Sequence, residues 1–161
     1  MKTEVRIVAG TLRGRKLACR VNPDLRPTPQ MVREAFFSIL GNAIPKRLFI
    51  DVFAGTGVFG IEALSRGAKA TYFIERDAGL AAAIVDHVRK FGVDSRTKMF
   101  RTDSYRWAMS FRGPTEPVNI FLSPPFPDLH ERPQTLLDAL RHLQAQVAPD
   151  SLIVIQIEDE S

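Results

Sequence analysis

Asp51-Val-Phe-Ala-Gly55-Thr-Gly57-Val-Phe-Gly60 is the stretch on which the fold turns. Ahead of it, and running into it, Leu48-Phe-Ile-Asp-Val-Phe53 is an apolar stretch of strand length, interrupted at Asp51. Behind it, residues 58–66 carry helical spacing and stop at Gly67. A strand, a G-x-G-x-x-G turn and a helix begin a βαβ unit. The pattern then repeats towards the C-terminus. Thr71–Ile74 reads as a strand, and Asp77 caps a helix running to about Phe91. Lys98–Arg101 is a third strand, with a short helix after Asp103. Val118–Leu122 is a fourth strand, 131–146 a helix, and Leu152–Ile157 a fifth strand. Apolar strands alternating with amphipathic helices predict an open, mostly parallel α/β sheet with helices on both faces.

Towards the N-terminus the pattern changes. Residues 4–20 read as a β-hairpin turning around Gly10–Gly14, and the three prolines between Arg20 and Pro29 mark a loop. Thr28 is expected as an N-cap with Pro29 in the first helical position. Met31, Ala35, Phe36, Ile39 and Leu40 follow at helical spacing before Gly41-Asn42 ends the helix. The expected organisation is a basic hairpin-and-helix extension over 1–41 and a main domain over 42–161, built as one structural unit.

The 161 residues, 45% apolar and 25% charged, fit one globular domain. No apolar run is long enough to span a bilayer, and no secretory leader is read at the N-terminus. A lone Cys19 cannot make an internal disulfide, so a cytoplasmic protein is expected. The net charge of +4 is unevenly spread. Residues 1–33 hold eight Lys or Arg against two acids, while the other 128 carry 14 basic and 16 acidic residues. A basic arm on a mildly acidic body suggests a polyanionic partner, most often nucleic acid. Arg13, Arg15, Lys16 and Arg26 are the candidate phosphate contacts. Arg33 could serve phosphate or a neighbouring carboxylate.

Ligands of such sheets bind beyond the carboxyl ends of the strands, where strand order reverses. A Gly-rich turn there serves dinucleotides and other nucleosides alike. Asp51, four residues before the first glycine, would repel a pyrophosphate but suits a ligand bearing an ammonium or sulfonium, such as S-adenosylmethionine. Glu75 ends the second strand and can accept from ribose hydroxyls in either a NAD or an S-adenosylmethionine site. Asp103, after the third strand, could contact adenine or cap the next helix. After the fourth strand, Ser123-Pro124-Pro125-Phe126 sets a hydroxyl and a proline carbonyl beside an aromatic face. That arrangement suits a planar base with an exocyclic amine, held by two acceptors and stacked on Phe126. His87, His130 and His142 have no ligand-like spacing, and no metal site is assigned.

Asp51–Gly60, Glu75 and Ser-Pro-Pro-Phe, in that order, resemble the motifs of class I S-adenosylmethionine-dependent amino-methyltransferases. Arg6–Leu17, Arg26-Pro-Thr28 with Val32–Leu40, and Asp51–Ala68 are similar to blocks of the RsmD family, whose members methylate guanine N2 in bacterial 16S ribosomal RNA. The resemblance spans residues 6 to about 157. It implies a Rossmann-like methyltransferase domain and S-adenosylmethionine as cofactor. Gly55, Gly57, Glu75 and Asp103 are then expected at the cofactor, flanked by Asp51, Phe53, Ala54, Gly60, Arg76 and Ser104. Ser123, Pro124, Pro125 and Phe126 are expected at the target base, and the partner is 16S ribosomal RNA or an assembling small subunit.

The family usually has Asp, sometimes Asn, where this chain has Ser123, and typically Asp at Asn119. A serine hydroxyl accepts a hydrogen bond but is no base near neutral pH. Relatives also continue past the fifth strand, which here is expected as an open edge, in a monomer or a weak dimer. Three alternatives stand beside guanine N2: another exocyclic amine (adenine N6 or cytosine N4), a silent RNA-binding protein, and a NAD-dependent oxidoreductase.

Overall fold

The computed structural model describes residues 2–20 and 28–157. Strands β1 (Lys2–Arg6) and β2 (Lys16–Arg20) pair antiparallel as the expected hairpin. Helix α1 (Gln30–Leu40) and a 3₁₀ turn (Gly41–Ala43) lead into the main sheet. There follow β3 (Leu48–Asp51), α2 (Val58–Ser65), β4 (Ala70–Ile74), α3 (Ala78–Lys90), β5 (Thr97–Phe100), α4 (Ser104–Ser110) and β6 (Val118–Leu122). Helices α5 (Phe126–Glu131) and α6 (Pro133–Gln146) precede β7 (Leu152–Ile155). The five main strands are all parallel, in the order β5-β4-β3-β6-β7. β3 lies where the order reverses, so its carboxyl end opens onto the crevice that such sheets use for ligands.

Each face of the sheet has its own core. On one side the hairpin and α1–α3 bury Ile7, Leu17, Phe37, Ile61, Leu64 and Ile84 against Phe49, Phe73 and Phe121. At its centre Phe59 stacks on Phe121 at 4.2 Å, with Phe36 edge-on to both. All eight residues of α2 are buried, because the helix is sandwiched between the sheet and the N-terminal extension. On the other side α4 and α6 cover Ile50, Ile120 and Leu122. Among the described residues no helix is long and apolar enough to cross a membrane.

Three expectations change. Pro29, not Thr28, is the N-cap of α1, and no side chain caps that helix; the Pro29 carbonyl takes the Val32 and Arg33 N–H groups instead. Met31, Ala35 and Ile39 face outward, while Arg33, Phe37 and Leu40 point in. The Ser-Pro-Pro-Phe turn leads into an unexpected short helix, α5, whose N-cap is Pro125. Proline fixes the φ needed there and has no N–H to satisfy.

Candidate functional site

The loop after β3 is shaped by glycine. Gly57 is the N-cap of α2 with φ 80°, and a Cβ on it would stand 2.8 Å from Ile84. At Gly60 a Cβ would lie 2.4 Å from the Phe73 ring, so only glycine lets α2 sit this close to β4. The Gly55 N–H donates to Glu75 Oε1 at 2.9 Å, and the Asp77 N–H to Oε2 at 2.9 Å. Glu75 is thereby fixed across the mouth of the Gly loop. Its remaining lone pairs are free to accept from hydroxyls.

Asp51 lies beneath this loop, 1% exposed, with neither carboxylate oxygen hydrogen-bonded. Burial raises its carboxyl well above the usual range; the nearby Gly60 N–H opposes the shift and the charge of Glu75 adds to it. Two acids sharing one low-dielectric crevice make a place for positive charge. The orphaned carboxylate, the glycine cradle and the fixed Glu75 therefore fit a nucleoside carrying a cationic centre, and do not fit a pyrophosphate. Asp103 caps α4 by accepting the Arg106 N–H at 2.9 Å, as one of its two expected roles required. The buried Ser104 hydroxyl donates to the Val52 carbonyl and ties α4 to the Gly loop. Arg76 is exposed beside Glu75.

Beyond β6, the Ser123 hydroxyl donates to the Phe53 carbonyl at 3.4 Å, joining the two loops. Phe53 is edge-on to Tyr105 at 5.4 Å, and Tyr105 donates to Asp128 Oδ2 at 2.7 Å. The Arg132 guanidinium lies 4.6 Å over the same ring. This chain of contacts holds α5, and Phe126 at its start, against α4. Burial and the Asp128 partner both push the Tyr105 hydroxyl far up, so it stays protonated as the donor. The sequence reading missed Tyr105, Asp128 and Arg132; a polar residue two places after Ser-Pro-Pro-Phe was the available signal. Asn119, buried in β6, donates to the Ala43 carbonyl at 2.8 Å, a bond an ionised aspartate could not make.

The basic residues divide. Arg33 takes the carboxylate rather than phosphate: it is 2% exposed, donates to Glu62 Oε1 at 3.2 Å and to the Arg6 carbonyl at 3.0 Å. Glu62 also accepts from the Val8 and Ala9 N–H groups and from Arg66, which pins the hairpin to α2. Sequence reasoning passed over Glu62, whose signal was an acid inside an otherwise apolar helix. The hairpin turn docks on Ser65, through the Thr11 and Leu12 N–H groups. That is the far end of α2, about 10 Å from the Gly loop at 1.5 Å per residue. Arg15 lies 4.8 Å over the Phe91 ring and Lys16 pairs with Glu4 at 3.5 Å, while Arg13 is exposed. Arg26 lies outside the described residues.

Comparison with known proteins agrees with this architecture. The family described as Conserved hypothetical protein 95 matches residues 5–161. The chain is 31% identical to a ribosomal RNA small subunit methyltransferase D from Buchnera aphidicola, over 77% of this chain and 64% of that one. It is 34% identical to the protein of the same name from Haemophilus influenzae, over 99% and 81%. It therefore spans just under two thirds of the first relative and about four fifths of the second. A solved structure of a putative methyltransferase from Escherichia coli superposes with a TM-score of 0.81 at 29% identity, covering 99% of this chain and 85% of that one.

Proposed function

The chain belongs to the Conserved hypothetical protein 95 family, that of the ribosomal RNA small subunit methyltransferase D proteins, and from that premise we propose that it methylates the exocyclic N2 of a guanine in 16S ribosomal RNA. S-adenosylmethionine is the cofactor, and it supplies an electrophilic methyl group whose departure leaves a neutral thioether. Asp51, Glu75 and the Gly55–Gly57 turn would hold it. The observation that carries the reading is the edge itself. The orphaned Asp51 carboxylate ends β3 and the Ser123–Phe126 loop follows its parallel neighbour β6, the two edges joined through the Ser123–Phe53 hydrogen bond.

At that edge the Ser123 hydroxyl and Pro124 carbonyl would accept the two amino hydrogens of an extruded guanine, with Phe126 stacked on the ring. Holding both hydrogens aims the nitrogen lone pair at the methyl carbon. Once methylated, the nitrogen carries positive charge and is strongly acidic, so its proton passes to water without a strong base. Serine suffices for such positioning.

Methyl transfer from labelled S-adenosylmethionine to 16S ribosomal RNA and to partly assembled small subunits, with nucleoside analysis, tests this. N2-methylguanosine that falls roughly 10- to 100-fold in Phe126→Ala, the worth of one stacked base, is expected. Methylated adenine or cytosine would overturn the target atom. No transfer despite intact cofactor binding would overturn the reaction.

A further inference from the structure

We infer that the open face between β4, β5 and α4 is a groove for single-stranded RNA, the stretch flanking the nucleotide delivered to the edge; this rests on the proposed RNA substrate. A depression of about 520 Å³ is lined by Tyr72, Phe100, Trp107, Arg106 and Arg112 among others. A second, of about 360 Å³, shares Tyr72, Phe111 and Arg112 with it, so the two are continuous. The opening has a structural cause. Helix α4 has only seven residues and packs with α6, so Tyr72 of β4 and Phe100 of β5 stay half-buried, with Trp107 of α4 6.1 Å from the Phe100 ring.

The chemistry of this face selects its occupant. Lys98 lies over both rings, 5.9 Å from Tyr72 and 5.2 Å from Phe100. Lys69, at the lower end, is answered by Glu116 at 3.3 Å. Lys98, Arg106 and Arg112 have no carboxylate within 4 Å among the described residues. A face meant for a helix or a protein partner would be apolar at its centre and depleted of unpaired lysine. Aromatic rings interleaved with unanswered cations are what stacked bases and their phosphates require.

Position agrees with chemistry. The groove starts beside Leu48 and Ala70 at the amino ends of the strands and reaches Thr102, next to Asp103 at the carboxyl edge. It passes Ala70 and Tyr72 on β4, then Phe100 at the end of β5 and Thr102 beyond it. The hairpin cations, by contrast, lie across the other face of the sheet, at the end of α2 away from the Gly loop.

Trp107 is the chain's single tryptophan, so its emission reports on this groove. Titration with a single-stranded RNA of about ten nucleotides is expected to quench it saturably. The double variant Lys98→Glu, Arg112→Glu should bind roughly tenfold or more weakly, with a salt slope shallower by about two and unchanged affinity for S-adenosylmethionine by calorimetry. In wild-type protein, photo-cross-linked RNA should map to the peptide containing Lys98–Trp107, a readout that needs no variant to fold. Equal RNA binding by the double variant, or cross-links confined to the hairpin, would overturn the groove. RNA binding seen by anisotropy with silent Trp107 emission would overturn it too. Wild-type protein that transfers no methyl would sink the proposed reaction alone, since the titration requires no turnover.

Discussion

Two buried carboxylates in this protein have opposite surroundings. Glu62, fully buried in α2, accepts four hydrogen bonds, from the Val8 and Ala9 N–H groups, Arg33 and Arg66. Asp51, equally buried one element earlier, accepts none. A charge taken out of water is tolerated when partners replace the lost hydration, and is costly otherwise. The first arrangement is therefore structure: it locks the N-terminal extension onto the helix that begins at the Gly loop. The second is a cost carried in the free protein, of the kind found where a ligand completes the site. Substitutions at the two positions should behave differently.

The largest effect is expected at Glu62. Glu62→Ala strands the Arg33 guanidinium, already short of one partner at Nε, together with two backbone N–H groups. A buried pair broken on one side costs about 3–5 kcal/mol, a large part of a domain's total stability. Urea unfolding should register that loss; a change below about 1 kcal/mol would mean the hairpin is not held through this residue. Asp51→Asn should do the reverse in the free protein, raising its melting temperature by removing a charge without partners. The same change should weaken S-adenosylmethionine about 10- to 100-fold, the worth of a charge-assisted bond. Calorimetry on both forms separates the two outcomes, and a variant that loses stability as well would class Asp51 with Glu62.

The pH dependence sharpens the same contrast. With its carboxyl raised by burial, folded Asp51 holds its proton to higher pH than the unfolded chain does. Its contribution is thus fully favourable below the ordinary aspartate value of about 3.9, and is lost as pH rises through the raised one. The stability advantage of Asp51→Asn over wild type should grow across that window and then level. A difference that stayed flat with pH would show that Asp51 is not titrating there.

Much of the sheet was legible because parallel strands, buried on both faces, write themselves as short apolar runs; Leu48–Ile50 and Ile120–Leu122 are examples. The edge was legible as well, since loops that follow such strands carry the chemistry. The pairing of Tyr105 with Asp128, 23 residues apart, was not, because only the tertiary packing of α4 on α5 brings them together. Nor was the direction of the basic hairpin. Charge counts concentrate Arg13, Arg15 and Lys16 in one arm without saying which end of α2 the arm meets.

Helix α1 shows how a sound periodicity finds only part of the buried face. Of Met31, Ala35, Phe36, Ile39 and Leu40, which recur at helical spacing, Leu40 is buried and Phe36 packs on the core, yet Met31 is 79% and Ile39 84% exposed. The buried stripe is Arg33, Phe37 and Leu40, spaced by four and then three, and it opens with an arginine. Arginine is read as outward by default, and only the carboxylate waiting on α2 reverses that. The Glu62 pairing therefore sets the rotation of α1 about its axis, placing Phe36 and Phe37 among the core phenylalanines. The smallest effect follows from this. Ile39→Ser removes a large apolar side chain that touches little, and should alter unfolding stability by less than about 0.5 kcal/mol. A loss of 2 kcal/mol or more would mean that the outward face of α1 is covered, and that Arg33 and Glu62 orient the helix for a contact on both of its sides.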